Sequence, residues 1–246
     1  MRSYAELIGR LRNLPDWRVR QVSTVWDYPW FTVERTVSKR APTVLLSGGM
    51  HGEEPAGVEG VLRWLESDRW RKYPVNWLVF PCINPYGWER NQRRNRQHRD
   101  INRQFRFSTS TPEAELIKRL VNGRRFEFSL EFHEDVDATG FYLYELRRQP
   151  PYIGEQMLRA VSRITPINRD RVIDGNRATG HGLIRREVGS NLPRARQRGP
   201  MALHLFQHCT DHILGCESAL TVPLATRARA HVRALECALV VTLRAR

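Results

Sequence analysis

Three short stretches hold residue types that could do chemistry together. The first is Gly48–Gly49–Met50–His51–Gly52–Glu53–Glu54, with a His and a Glu at HxxE spacing among glycines. An imidazole and a carboxylate at that spacing meet at one point only if the backbone folds tightly between them, and Gly49 and Gly52 permit it. The second is Phe132–His133–Glu134–Asp135, a His flanked by carboxylates directly after an apolar run. Together His51, Glu54 and His133 supply the ligand set of a catalytic zinc site with one open position for water. Zinc so held polarises a carbonyl and lowers the pKa of water to near ~7. Each piece alone has a plainer reading, as a solvated helix start or a hydrogen-bonded surface His.

The third stretch runs from Asn84–Pro85–Tyr86–Gly87 through Arg93–Arg94–Asn95 to Asp100–Ile101–Asn102–Arg103–Gln104–Phe105. Seven arginines fall between Arg90 and Arg106, which as a bare charge run is a solvated loop or one that faces nucleic acid.

Short apolar runs must position these residues. Buried strands are expected over 43–47, 76–83, 126–132, 141–146 and 213–220, the first closed by Gly48–Gly49 and the second by the Asn84–Gly87 turn. Helices are expected over 4–14, 54–65, 111–120, 153–164 and 226–243, with Thr111 as N-cap and Pro112 at the first helical position. A turn is expected near Asp27–Pro29. Residues 165–200 are polar and glycine-bearing and are expected to be a long loop. Strands alternating with helices predict an α/β fold with a mixed, mostly parallel sheet covered on both faces, three layers in all. Active sites in such folds lie at the carboxyl ends of the strands, where the polar stretches fall.

The chain has 246 residues, read as a single catalytic domain over 1–246. No run approaches the ~20 apolar residues that span a bilayer, which excludes an integral helical membrane protein. The N-terminus is broken by Arg2, Arg10 and Arg12, so no secretory leader is read there and a cytoplasmic protein is expected. Cys82, Cys209, Cys216 and Cys237 form no CxxC pair, which excludes cysteine zinc ribbons and thioredoxin-type motifs and leaves buried reduced thiols. Lys plus Arg number 40 against 26 Asp plus Glu, a formal charge of +14. That balance suits a nucleic-acid partner, but with Lys39, Lys72 and Lys118 as the only lysines it also suits a genome rich in arginine codons.

In order, HxxE, NPxG, RxN, DxNRxF and a strand-end His resemble the zinc metallocarboxypeptidases, specifically bacterial carboxypeptidase A-like members. That core is shared with the succinylglutamate desuccinylase and aspartoacylase branch. The resemblance runs from His51 to the C-terminal helix. It implies one zinc per chain on His51, Glu54 and His133, with Asp100 steadying a ligand imidazole from behind. It implies that Asn102 and Arg103 grip a substrate carboxylate and that Arg93 stabilises the oxyanion, Arg94 and Arg96 being adjacent candidates. The general base falls on Glu217, in Cys216–Glu217–Ser218–Ala219–Leu220 ahead of Pro223, Leu224 and Arg227, with Glu236 as the competing glutamate.

No residue matches the mobile tyrosine of digestive-type members, though Tyr142 and Tyr144 lie near His133 in sequence. A compact chain of this length is expected to carry no separate accessory domain. His204, His208 and His212 recur every four residues and are weighed as a second metal site; His181 is read as exposed, and His98 and His231 receive no role. The implied activity is hydrolysis of an amide beside a free carboxylate, on a peptide C-terminus first and on an N-acyl amino acid as the alternative. An acidic substrate side chain would suit the arginine-rich loop. A nucleic-acid-binding protein is the remote alternative, suggested by charge alone.

Overall fold

The computed structural model describes residues 2–106, 110–186 and 199–244. Four strands run parallel at its centre: β3 (Thr43–Gly48), β4 (Asn76–Phe80), β5 (Phe128–Asp135) and β10 (His212–Ala219). On one side the hairpin of β1 (Arg18–Val25) and β2 (Tyr28–Arg35) extends the sheet antiparallel to β4. Its turn falls at Trp26 and Asp27, both at positive φ, as a tight hairpin requires. On the other side β6 (Tyr142–Arg147) runs antiparallel to β10, and β9 (Leu183–Arg186) pairs parallel with β6. The order is β1-β2-β4-β3-β5-β10-β6-β9.

Central strands are buried on both faces, which is why they read as unbroken apolar runs. Val44 and Leu46 enter one core and Leu45 the opposite one. The first core is closed by α1 (Tyr4–Arg12), α2 (Pro55–Glu66), α5 (Gly154–Val161) and α7 (Leu224–Arg244). The second is closed by α4 (Pro112–Val121) and α6 (Met201–His208). The result is the expected three-layer α/β/α arrangement with a mixed, mostly parallel sheet. A short helix α3 (Pro85–Arg90) follows β4 at its carboxyl end. No helix among the described residues is long and apolar enough to cross a membrane.

Several local expectations change. His133 lies inside β5 and not after it, because β10 keeps pairing as far as Ala219 opposite Asp135. Thr111 occupies the N-cap position of α4, yet its side chain makes no capping hydrogen bond among the described residues. The stretch 165–200 carries the small hairpin β7 (Val172–Ile173) and β8 (Asn176–Arg177) as well as β9, while residues 187–198 lie outside the described residues. His204 and His208 lie on α6, but His212 sits on β10 with its Nε2 3.2 Å from Glu145 Oε1, so the three do not share a helix face. All four cysteines are unpaired, and Cys82, Cys209 and Cys216 are buried. His181 is exposed.

Candidate active site

β3 is paired with β4 on one side and β5 on the other, so the chain leaves it in one direction and later returns in the other. A crevice opens outside the carboxyl ends of such a strand pair. The segment after β3 folds back sharply there. Gly49 takes φ +65°, and a Cβ on Gly52 would stand 2.0 Å from the carbonyl carbon of Gly87, so only glycine lets this segment lie against α3. Glu54 then stands at the N-cap position of α2 without capping it. Its carboxylate turns instead to His51 Nδ1 (Oε1, 2.5 Å) and to His133 Nδ1 (Oε2, 2.8 Å). The exposed end of α2 is served by Glu134, which accepts from the Ala56 N–H (2.5 Å) and pairs with Arg227 at the start of α7.

The three donor groups fit a metal ion. Ligand atoms of His51, Glu54 and His133 lie within 4.8 Å of one another, and all three residues are buried. Both imidazoles aim Nδ1 at one spot and place Nε2 against a carboxylate, His51 on Asp100 (3.2 Å) and His133 on Glu131 (3.5 Å). An Nε2–H held in this way leaves the Nδ1 lone pair free for a cation. Electrostatics agree. Burial opposes charge on both imidazoles, but Glu54 outweighs it and raises their pKa values; burial pushes Glu54 up, and the imidazoles outweigh that to hold it low. The spot therefore favours positive charge.

Asp100 does more than meet His51. Its Oδ1 also accepts from the Asn102 N–H (2.9 Å), and its Oδ2 lies 3.2 Å from both Arg93 Nε and Nη2. Burial raises the Asp100 pKa, and the His51 hydrogen bond and the Arg93 charge overcome it to leave the group well below its ordinary value. Arg93 lines the cavity with Nη1 3.6 Å from Glu54, whereas Arg94 is outside the lining and Arg96 pairs with Asp27 at 2.9 Å. Asn84 ties this loop down, accepting from Gly87 N–H (2.9 Å) and donating to the Arg93 carbonyl (3.2 Å). Asn95, buried, holds the rest by accepting from the N–H groups of Gln97 and Arg99. The arginine run thus presents no single face. Arg90 goes to the Tyr28 hydroxyl and the face of Tyr86, whereas Arg93 goes to Asp100.

Asn102 and Arg103 also line the cavity, and the Asn102 side-chain oxygen accepts from the Met201 N–H (2.9 Å), which fixes its orientation. Glu217 lies opposite His133 in the β5–β10 pairing and faces the same cavity. Burial drives its pKa well above the usual carboxylate range; His133 opposes this and Glu54 and Asp135 add to it. Glu236 lies on α7 beside Arg69 (3.2 Å), outside the cavity lining.

The cavity has a volume of about 470 Å³. Its lining includes residues that sequence reasoning left aside. Glu131 and Asp135 flank His133 at two-residue spacing, and Gly215 precedes Glu217 in the same way. Period-two alternation along a strand puts such residues on one face, so the signal was present once His133 and Glu217 were placed within strands. Tyr142 and Tyr144 both line the cavity, Tyr142 as part of a small buried cluster with Ala138, Ile173, Ile184 and Ala219; their hydroxyls donate to Asp135 (2.8 Å) and Asp174 (2.5 Å).

Comparison with known proteins agrees with this geometry. No curated protein matches the chain in sequence. A candidate metallopeptidase from Shewanella amazonensis superposes with a TM-score of 0.79 at 22% identity, over 95% of this chain and 90% of that one. A similar protein from Shewanella baltica gives 0.75 at 23% identity, over 97% and 90%. Carboxypeptidase A from Helicoverpa armigera gives 0.71 at 17% identity, over 100% of this chain and 73% of that one. These neighbours establish the fold. The family model for the succinylglutamate desuccinylase/aspartoacylase catalytic domain matches residues 40–169, the span that brings His51, Glu54 and His133 together. With more than half of its length so matched, the chain belongs to the succinylglutamate desuccinylase/aspartoacylase catalytic-domain family.

Proposed function

We propose that the chain is a zinc-dependent hydrolase, working as one catalytic unit over 1–246, that cuts an amide bond beside a free carboxylate. The observation that carries this reading is the convergence of two Nδ1-directed imidazoles on buried Glu54, with Glu217 across the strand pair from His133. One zinc per chain on His51, Glu54 and His133, when bound, supplies Lewis acidity, polarising an amide carbonyl and acidifying water.

The protein groups do the rest. Asn102 and Arg103 hold the substrate carboxylate, the guanidinium fork meeting both oxygens. Arg93 offers its N–H groups to the oxygen on which charge develops, held in place meanwhile by Asp100. Glu217 accepts a proton from the attacking water and returns it to the leaving amine, a role suited to a carboxyl whose proton affinity is raised by burial. Asp100 and Glu131 keep the ligand imidazoles in one tautomer.

A peptide C-terminus is the first substrate class. The cavity mouth carries exposed Val136 and Leu220, apolar footing for residues upstream of the scissile bond. Deacylation of an N-acyl amino acid is the second reading, favoured by the family match. A hydrolysis panel on zinc-loaded protein separates them. Release of a C-terminal residue from free-ended but not amidated peptides supports the first, and cleavage of N-acyl amino acids with peptides untouched supports the second. Inactivity on both classes by protein with one zinc per chain refutes the proposal.

A further inference from the structure

Below the reacting groups the cavity continues along three neighbouring strands. In the sheet register Gly215 on β10 stands between Glu131 on β5 and Tyr144 on β6. A Cβ on Gly215 would find nothing closer than the Tyr144 Cβ at 3.6 Å, so the missing side chain leaves open floor between those two neighbours. One pair deeper, Ile213 faces Leu146, and Leu203 of α6 closes the wall, an apolar surround suited to a methylene stem.

Glu131 is anomalous in such a floor. It is 3% exposed; one carboxylate oxygen lies 3.5 Å from His133 Nε2, and the other, Oε1, has no hydrogen-bond partner among the described residues while its side chain lines the cavity. A buried acceptor without a partner is costly unless something that visits the site satisfies it. The wider lining has the same sign, with eight carboxylates against three guanidiniums, on a chain whose formal charge is +14. Of those three, Arg93 is held by Asp100, and Arg186 donates to Asn176 (2.8 Å). This argues against an acidic substrate side chain, because of the arginine run Arg93 and Arg103 line the cavity and Arg90, Arg94, Arg96, Arg99 and Arg106 do not.

We propose that the Glu131–Gly215–Tyr144 floor is a side-chain subsite for a cation, and that the residue carrying the free carboxylate in the substrate ends in an ammonium or guanidinium group. This rests on the hydrolase reading above. A lysine or arginine side chain joins an apolar stem to a charged head, matching Ile213 and Leu146 around the stem and Glu131 at the head. Along β5 the backbone positions of Glu131 and His133 are two residues, roughly 7 Å, apart, so a substrate held at the metal can reach the Glu131 carboxylate with a long side chain.

The test compares N-acyl-glycyl-lysine, -arginine, -norleucine and -glutamate on zinc-loaded wild type and Glu131→Gln. Glutamine keeps an oxygen for His133 Nε2 and removes the charge. Expected is a wild-type kcat/KM at least about tenfold higher for lysine or arginine than for norleucine, with the ratio falling toward one in Glu131→Gln. Equal rates for lysine and norleucine in wild type, or an equal loss on every substrate in the variant, overturn the proposal, the latter leaving Glu131 as a partner of His133 alone. Gly215→Leu should lower kcat/KM for lysine and arginine more than for N-acyl-glycyl-alanine, and an equal loss on all three overturns the floor assignment. Calorimetric titration of free L-lysine and L-norleucine onto the zinc-loaded proteins judges the subsite separately. Tighter lysine binding that is lost in Glu131→Gln upholds it even if no amide is cut, and equal binding refutes it.

Discussion

Glu217 and His133 face each other across the parallel pair β5 and β10, one strand from the middle of the chain and the other from its C-terminal part. A base carried on a strand next to a ligand strand has its distance to the metal fixed by backbone hydrogen bonds, not by a mobile loop. Glu217→Gln should lower kcat by about 10²–10⁴-fold with zinc content unchanged. Metal analysis beside steady-state kinetics checks this; a variant within tenfold of wild type would place the base elsewhere.

The metal site makes a graded prediction. His51→Ala should remove both zinc and activity, and chelation of wild type should abolish activity that added zinc restores. Asp100→Asn leaves the three ligands intact but weakens the acceptor that orients His51, so zinc affinity should fall by about 10–100-fold. Competition with a chromogenic chelator reads this directly. Activity surviving in zinc-free His51→Ala would end the metal mechanism.

Arg93 and Arg103 should fail differently. Arg93→Ala removes a group assigned to the transition state, and kcat should drop by roughly 10²–10³-fold with a small change in KM. Arg103→Lys keeps the charge but loses the bidentate fork, so KM should rise more than kcat falls. The opposite pattern would exchange the two roles.

His231 on α7 predicts an acid-sensitive fold. It is buried and stacked on Phe132 at 4.6 Å, and burial holds its pKa down to about 3. Unfolding restores a value of about 6.5. Between these limits the unfolded chain binds the proton first. Its contribution to stability is therefore complete above pH about 6.5 and declines as pH falls toward about 3, by up to about 1.4 kcal/mol per unit. Denaturation midpoints of wild type and His231→Phe from pH 7.5 to 4.5, at one zinc level, test it. The variant should lose less stability on acidification, and parallel curves would assign the sensitivity to other groups.

The sequence is most legible where spacing alone brings groups together. His51 and Glu54 sit three residues apart with glycines to bend the chain, and Asp100, Asn102 and Arg103 share a single turn. What stayed hidden depends on strand register. Glu131, Gly215 and Tyr144 become neighbours only because β5, β10 and β6 pair in one alignment, and nothing local in any of the three stretches announces it. The same holds for β9, whose four residues show no clear alternation and become a strand because β6 offers an open edge. The helical spacing of His204, His208 and His212 does not mark one helix face, since it continues past the end of α6 into β10.

The sheet order separates two kinds of change open to descendants of this chain. Residues proposed to hold the ion lie on or after β3 and on β5, whereas Tyr144, Leu146, Ile213 and Gly215 lie on β6 and β10, strands that carry no proposed ligand. Drift at those later positions alters what fits the floor while leaving the ligands untouched. A chain built this way can change what it accepts without rebuilding the group that would hold the ion.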